Sequence, residues 1–366
     1  MKKLCILCIL TVFYASNLHA QINRSDSKHV FVQMTGAIEH REYPGIHSLL
    51  ITRGIKPIYE GYFHGFKRDS LHDTRSSFKS ITSLLIGIAV DKGLIRSLDQ
   101  KVYDMFPEYR PFKNDGAQKK AITIRNLLEM KSGFDCEEFN DTKDCEDAMS
   151  GSRDWVKFSL DLPMKFKPGT VWSYTSVDPM ILSGVISKVS GMTVMDFAKK
   201  YLFSPMGITD YKWTTDPAGH GMTAGSFYMK PADMLKIAEL VLHQGKWNGK
   251  QLISQKWIAE STAGNIQIPN FSFMGSSRSM VALPQSAYYG YYWYHELIKT
   301  NAFQHDVLFA SGNGGQYIFI IKSLDMVVVF TQGNYGSWKA KQAFEILAKY
   351  IIPWAESRQT PNSAVN

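Results

Sequence analysis

The apolar segment from Ser76 to Val90 constrains the fold of this chain more than any other part of the sequence. Lys79 is its only ionisable residue, and its apolar residues recur at the i, i+3, i+4 and i+7 spacing of an α-helix with one apolar stripe. A helix with a single charge has no face suited to solvent, so the segment predicts a buried helix. It should end at Gly93, because glycine readily adopts the left-handed conformation that closes many helices.

One narrow face of this predicted helix is small and polar. At about 100° per residue, the residues that share the face are Ser76, Lys79, Ser80, Ser83 and Gly87. The Ser76 hydroxyl and the Lys79 amine therefore point the same way, with Cβ atoms about 5–6 Å apart. A serine needs a base beside it to become a nucleophile, and burial pushes a lysine towards its neutral, proton-accepting form. We expect the face to line a pocket, with Ser76 as nucleophile and Lys79 as general base.

The Ser-x-x-Lys string is weak evidence when taken alone. It also occurs at Ser25 and Lys28, in a polar stretch with no helical pattern behind it. The alternative interpretation of Lys79 is a solvated surface charge. Such a face would carry further charges or amides at this spacing, and none follows before Asp91, so the sequence favours catalysis.

The first 20 residues have the pattern of a cleaved secretory signal. Lys2 and Lys3 precede an apolar stretch over residues 4–14, and a polar step ends at Ala20. The stretch is short for a membrane span, and no later segment is long and apolar enough for one. The sequence therefore predicts a periplasmic or secreted protein with no transmembrane segment in the mature chain.

Only two of the four cysteines remain after such cleavage. Cys5 and Cys8 lie inside the signal, whereas Cys136 and Cys145 flank a polar, acidic loop. Because an exported protein meets oxidising conditions, a local disulfide is favoured over two free thiols. The ten histidines form no recognised metal-ligand spacing, so the prediction is no metal and no cofactor.

The charge pattern argues against nucleic acid as a partner. The formal net charge is +8, of which Lys2 and Lys3 contribute two. The other basic residues are scattered, without a run of five or six.

Strand patterns occur at both ends of the chain and helical patterns lie between them. Residues 47–61 predict a hairpin that turns at Arg53 and Gly54. Helices are predicted over residues 123–130, 178–189, 194–202, 231–243 and 338–352. Later strands are predicted over residues 289–294, 316–321 and 326–331. The two strand groups should join, which gives an α+β fold: an antiparallel β-sheet flanked by helices, with a helical lobe.

The chain resembles the penicillin-recognising serine hydrolases, namely class C β-lactamases, DD-peptidases, and their esterase and aminohexanoate-dimer hydrolase relatives. Besides Ser76–Lys79, the resemblance rests on motifs in the family's order, at 127–133, 172–176, 184–191, 246–249, 289–293 and 310–316. It covers nearly all of the mature chain. It implies a β-lactamase-like domain over residues 21–360, with an α/β lobe at about 21–100 and 205–360 and a helical lobe at about 101–204.

The resemblance assigns the family's second element to Tyr174 and Ser176. By this resemblance Tyr174 relays protons to and from the leaving group; the alternative is a half-buried aromatic residue whose hydroxyl only finds a partner. The family often has asparagine where Ser176 stands. A serine hydroxyl can still donate a hydrogen bond there to hold substrate, but it reaches less far.

The third element departs from the pattern of lactamases and DD-peptidases. Where those enzymes have Lys-Thr-Gly, this chain has Ala310, Ser311 and Gly312. Without this cation, a substrate carboxylate loses a charge-assisted hydrogen bond that typically contributes about 1.5–3 kcal/mol. Strong lactamase activity is therefore not expected. By the family's pattern, the N–H of Asn313 joins that of Ser76 as an oxyanion hole; the alternative for Asn313 is an ordinary glycine-rich turn.

These features predict a secreted serine hydrolase that cleaves an ester or amide of a small molecule or peptide through an acyl-enzyme on Ser76. A first alternative is a DD-carboxypeptidase or β-lactamase with the same residues. A second is a binding protein that keeps the fold without turnover.

Overall fold

The computed structural model describes residues 29–138 and 144–358. Its largest element is an eight-stranded antiparallel sheet with the order β2-β1-β13-β12-β11-β10-β9-β8. The strands are β1 Ile46–Arg53, β2 Lys56–Tyr62, β3 His72–Asp73, β4 Tyr211–Trp213, β5 Phe227–Met229, β6 Lys246–Trp247, β7 Lys250–Gln251, β8 Ile266–Gln267, β9 Ala287–Tyr289, β10 Tyr294–Lys299, β11 Gln304–Gly312, β12 Gln316–Ile321 and β13 Met326–Gln332. Two small sheets, β3-β5-β4 and β6-β7, complete the set.

The helices flank this sheet and fill the middle of the chain. They are α1 at 29–39, α2 Phe78–Asp91, α3 Ala117–Ala121, α4 Ile124–Leu128, α5 Glu146–Ser150, α6 Trp155–Asp161, α7 Val177–Ser190, α8 Val194–Ala198, α9 Pro231–Leu242, α10 Gln255–Ser261, α11 Phe273–Ser276, α12 Gln342–Ile346 and α13 Ile352–Glu356. The predicted helix over 338–352 is built from a 3₁₀ turn at Trp338–Lys341, then α12, a π turn at Leu347–Ile351, and α13.

The two strand groups join in one sheet, as the sequence predicts. The N-terminal β1 pairs with the C-terminal β13, so that Leu50 lies opposite Val329. Every residue of β12 and β13 is buried. Strands covered on both faces are apolar throughout, which explains why both segments lack alternation. The predicted α+β class is confirmed.

The predicted buried helix is α2. Every residue from Phe78 to Ala89 is buried, and Gly93 closes the helix with a φ of +71°. The polar face behaves differently from the prediction, because only its first turn reaches a cleft. Further along, Ser80 donates a hydrogen bond to the Tyr292 carbonyl, and a Cβ on Gly87 would lie 2.2 Å from the Trp257 ring. The rest of the face is small because it packs tightly.

The prediction of a strand over 289–294 is wrong. Tyr289 ends β9 and Tyr294 begins β10, and the four residues between them form the turn. Tyr292, with a φ of +68°, turns its hydroxyl inward to donate to the Leu127 carbonyl, and Trp293 is fully buried. The aromatic residues indicate that the segment is buried, but both strands and packed turns can be buried.

The other helix predictions agree closely with the structure. Thr123 and Asn126 form a capping box at the start of α4, Gly191 closes α7 in the left-handed conformation, and Thr193 caps α8. Residues 1–20 and the second Ser-x-x-Lys string lie outside the described residues. Across the described ranges, no single helix is long and apolar enough to cross a membrane; α7 and residues 194–203 meet that test only jointly, across a 76° bend.

Candidate active site

Ser76 lies in a tight turn, Arg75–Ser77, immediately before α2. The Arg75 amide donates to the Asp73 carboxylate at 2.9 Å, and the Ser77 hydroxyl donates to the Thr74 carbonyl at 2.7 Å. These bonds fix the turn on both sides of Ser76. The Ser76 side chain is half-buried and lines a cleft of about 580 Å³.

The Lys79 amine lies against the Ser76 hydroxyl, one turn along α2. Its Nζ donates to Ser76 Oγ at 2.8 Å, to Ser176 Oγ at 3.2 Å and to the Ala224 carbonyl at 2.9 Å. Lys79 is 1% exposed. An ammonium group has three hydrogens to donate, so the three acceptors satisfy it completely. The predicted pairing of Ser76 and Lys79 is therefore present in the geometry.

The expectation that burial alone would neutralise Lys79 is wrong. Burial lowers the pKa of Lys79, but nearby Tyr174 and Glu138 raise it by more, so that the pKa lies above the ordinary lysine value. The sequence pattern showed that the amine would be buried. It could not show which anionic groups from other elements would surround it.

Glu138 is a residue of this site that the sequence pattern did not mark. Its Oε2 accepts from the Ser176 hydroxyl at 2.8 Å, and its Oε1 accepts from the Ser176 amide and, at 3.3 Å, from the Thr175 hydroxyl. The carboxylate lines the same cleft as Ser76. Burial raises the pKa of Glu138 above its usual value, while Lys79 opposes this shift. In the sequence, Glu138 is marked only as an acidic residue two positions after Cys136. Acidic residues are common in loops, so this position does not single it out.

Tyr174 lies beside the amine, as the resemblance implies. The Lys79 Nζ is 4.8 Å from the centre of its ring. Electrostatic interaction with Tyr174 raises the pKa of both Lys79 and Tyr294. Ser176 is 1% exposed and faces Lys79 and Glu138. Its hydroxyl thus belongs to the buried network behind the cleft.

The end of β11 forms the opposite side of the Ser76 turn. A Cβ on Gly312 would lie 2.4 Å from the Thr74 carbonyl oxygen, so only glycine allows the strand to approach this closely. Within residues 29–138 and 144–358, the backbone N–H groups of Ser76 and Asn313 have no hydrogen-bond acceptor. Ser311 lies opposite Tyr317 in the pairing of β11 with β12. The cleft thus offers two open amides beside the Ser76 hydroxyl.

The outer wall of the cleft is aromatic and cationic. Phe271, Phe273 and Trp338 line it, and the Arg278 guanidinium lies 4.8 Å from the centre of the Trp338 ring. Lys341 is half-buried in the same wall, and burial lowers its pKa. In the described part of the chain, no carboxylate lies within 4.0 Å of either cation.

The predicted disulfide between Cys136 and Cys145 is present. It joins the segment that carries Glu138 to the start of α5, and two hydrogen bonds tie the same segment to the residues at Tyr174. The Ser173 hydroxyl donates to the Cys136 carbonyl at 3.5 Å, and the Glu138 amide donates to the Tyr174 carbonyl at 2.9 Å.

One group of potential metal ligands lies outside the cleft, at Asp154, Asp216 and His220, with ligand atoms within 4.8 Å of one another. These side chains already have protein partners. Asp216 accepts from the amides of Trp155 and His220, and Asp154 caps α6. The arrangement ties a loop to the start of α6.

Comparison with known proteins places this arrangement in a family. Residues 34–350 match the family model described as beta-lactamase. The chain belongs to the beta-lactamase family. Within it, the chain is 23% identical over 305 residues to the 6-aminohexanoate-dimer hydrolase of Paenarthrobacter ureafaciens, covering 80% of this chain and 72% of that protein.

Two solved structures share the fold of the family. Simvastatin synthase from Aspergillus terreus has a TM-score of 0.69 at 15% identity, over 91% of this chain and 99% of that one. An octameric penicillin-binding protein homologue from Pyrococcus abyssi has a TM-score of 0.64 at 20% identity, over 88% of this chain and 77% of that one. The chain is therefore a β-lactamase-fold member of a hydrolase family.

Proposed function

We propose that this protein is a serine hydrolase that cleaves an ester or an unstrained amide of a small molecule or peptide through an acyl-enzyme on Ser76. The observation that carries the proposal is the 2.8 Å contact between Lys79 Nζ and Ser76 Oγ, at the edge of an open cleft. The names of the relatives describe different reactions, and the residues of the cleft itself support this function.

The chemistry begins with a proton. Lys79 donates to Ser76 in the resting arrangement, so it must lose one proton before it can act as a base. Neutral Lys79 then takes the hydroxyl proton as Ser76 Oγ attacks the substrate carbonyl, and the open amides of Ser76 and Asn313 stabilise the negative oxygen that forms. Collapse of this intermediate breaks the bond to the leaving group, and Tyr174 passes the proton from Lys79 to that group. Water then hydrolyses the acyl-enzyme, which releases the acid and returns a proton to Ser76. Because proton loss from Lys79 comes first, the rate should rise with pH.

Substitution of the nucleophile tests the proposal. In a Ser76→Ala protein, the rate of hydrolysis of a small activated ester should fall at least about a thousandfold, because the covalent route is removed. A panel of esters and amides, with this variant as the blank, measures the effect and reveals the preferred bond. Undiminished hydrolysis by Ser76→Ala would overturn the proposal.

The first competing function is a DD-carboxypeptidase or β-lactamase. The absence of a lysine at Ala310 counts against it, whereas the cations Arg278 and Lys341 in the outer wall favour acceptance of a substrate with an anionic group. Mass spectrometry after incubation with penicillin distinguishes the two, because a long-lived adduct on Ser76 favours the peptidase.

A non-catalytic binding protein is the second competitor. The complete set of Ser76, Lys79 and Tyr174 beside an accessible cleft argues against it. If a fluorophosphonate does not label the folded protein, the binding function is favoured. We further propose that the mature protein is exported, which agrees with the Cys136–Cys145 disulfide.

A further inference from the structure

We propose that Glu138 is a positioning residue that determines how readily Lys79 gives up its proton, and that it acts through the hydroxyl of Ser176. The inference rests on the proposed function, because it assigns a role beside the Ser76–Lys79 pair. It concerns a residue that lies on a loop and contacts neither Ser76 nor Lys79 directly.

The hydrogen bonds between these groups have only one consistent direction. Lys79 can only donate, so the Ser176 oxygen accepts from it at 3.2 Å. The Ser176 hydrogen is then directed to Glu138 Oε2 at 2.8 Å. Glu138 Oε1 accepts from the Ser176 amide and the Thr175 hydroxyl. Both carboxyl oxygens therefore act as acceptors, which is the pattern of an ionised carboxylate facing an ammonium group across one hydroxyl.

The position of Glu138 is fixed by its own segment. Its amide donates to the Tyr174 carbonyl at 2.9 Å, and Cys136, two residues earlier, is bonded to Cys145. The Thr175 hydroxyl also lies 3.3 Å from the Cys136 sulfur. The carboxylate is thus held against residues 173–176 by several independent contacts, which place it one hydroxyl away from Lys79.

The electrostatic consequence has a definite sign. The bridging distances place the Glu138 carboxylate within about 6 Å of the Lys79 amine, a range in which an opposite charge shifts a pKa by about 1–3 units. The other titratable groups that face this pair are Tyr174, Glu146 on α5 and Asp178 on α7. Burial lowers the pKa of Lys79, and the Glu138 charge opposes this effect. Loss of that charge should therefore lower the pKa of Lys79. Ser76 should then become reactive at lower pH.

The test is the rate at which a fluorophosphonate labels Ser76, measured against pH in the full-length protein. This single covalent step needs no knowledge of the natural substrate. In Glu138→Gln the midpoint of the rise should move down by about one pH unit or more, whereas Glu138→Asp, which keeps the charge, should stay near the wild type. Ser176→Ala removes the bridge but keeps the carboxylate, so its midpoint should move in the same direction by less.

Asp147→Asn is the matched control, because it removes one carboxylate from the exposed side of α5, and its midpoint should not move. A folded Glu138→Gln protein with the wild-type midpoint overturns the inference, even if its labelling is slower at every pH. If that variant does not fold, an unmoved midpoint in Ser176→Ala overturns it instead. Labelling that persists in Ser76→Ala would refute the proposed function, and this outcome is distinct from either result.

Discussion

The charged residues on the two sides of the cleft differ in whether protein groups neutralise them. On the inner side, Lys79 has three protein acceptors and a carboxylate, Glu138, one hydroxyl away. On the outer side, Arg278 and Lys341 face the cleft with no carboxylate within 4.0 Å in the described part of the chain. The inner side is balanced by the protein itself, while the outer side leaves positive charge for a bound molecule to neutralise.

The contrast separates two tasks. A balanced, buried network keeps fixed geometry and a controlled proton affinity, both of which a nucleophile and its base require. Unpaired cations at a partly open wall contribute little to folding. They can instead form charge-assisted hydrogen bonds with a ligand. We therefore expect changes on the inner side to alter the rate for every substrate, and changes on the outer side to alter the choice among substrates.

Among the variants that test this contrast, the largest effect is expected at Gly312, which packs against the Ser76 turn. In Gly312→Ala the new Cβ would lie 2.4 Å from the Thr74 carbonyl oxygen, so β11 must move away from the Ser76 turn. The Asn313 amide moves with it, and kcat should fall about a hundredfold, the usual cost of one lost oxyanion donor. Steady-state kinetics with neutral and anionic esters should show the same loss for both.

Gly116→Ala supplies the control, because no atom lies within 4 Å of its new Cβ and its kcat should be unchanged. A loss in Gly312→Ala that is confined to anionic esters would break the proposed separation of tasks.

An intermediate effect is expected on the outer side at Lys341. Lys341→Met keeps the length of the side chain and removes the charge, so KM for an ester that carries a carboxylate should rise about tenfold. KM for the matched neutral ester should not change. Lys339→Met is the control, since Lys339 is exposed and does not line the cleft. Equal changes for both esters would mean that Lys341 supports the cleft without recognising charge.

The smallest effect on turnover is expected from the disulfide. A Cys136→Ser, Cys145→Ser protein frees a loop with a sequence separation of 9, which should cost about 2–3 kcal/mol of unfolding free energy. Greater freedom of Glu138 should lower turnover a few-fold and move the pH midpoint of Ser76 labelling towards that of Glu138→Gln. Thermal unfolding and the labelling profile measure the two effects. An unchanged midpoint would show that the hydrogen bonds alone hold Glu138.

Most of the fold could be predicted from the sequence because the local sequence patterns and the pattern of buried residues indicate the same elements. The stripe of α2, the hairpin of β1 and β2, and the capping residues Thr123 and Thr193 all act within a few positions along the chain. The aromatic segment at 289–294 was misassigned because strands and packed turns both select large apolar residues. Spacing alone could not distinguish them.

The candidate site was predictable only where its residues lie close together in the sequence. Ser76 and Lys79 are one helical turn apart, so helical geometry brings them together. The Ala224 carbonyl contacts Lys79, and Glu138 is linked to it through Ser176. Both come from distant segments, and nothing in their local sequence marks them. The misjudged proton affinity of Lys79 has the same origin, because burial was visible in the pattern and its counter-charge was not.

The outer wall comes from two short stretches, residues 271–278, which include α11, and residues 336–341, which include a 3₁₀ turn. Both are separate in the chain from the buried helix α2. We therefore expect mutations in these stretches to change which molecules the cleft accepts without disturbing the Ser76–Lys79 pair. A library randomised at those two stretches, with α2 and residues 136–138 held constant, is the natural starting point for redirecting this scaffold to new compounds.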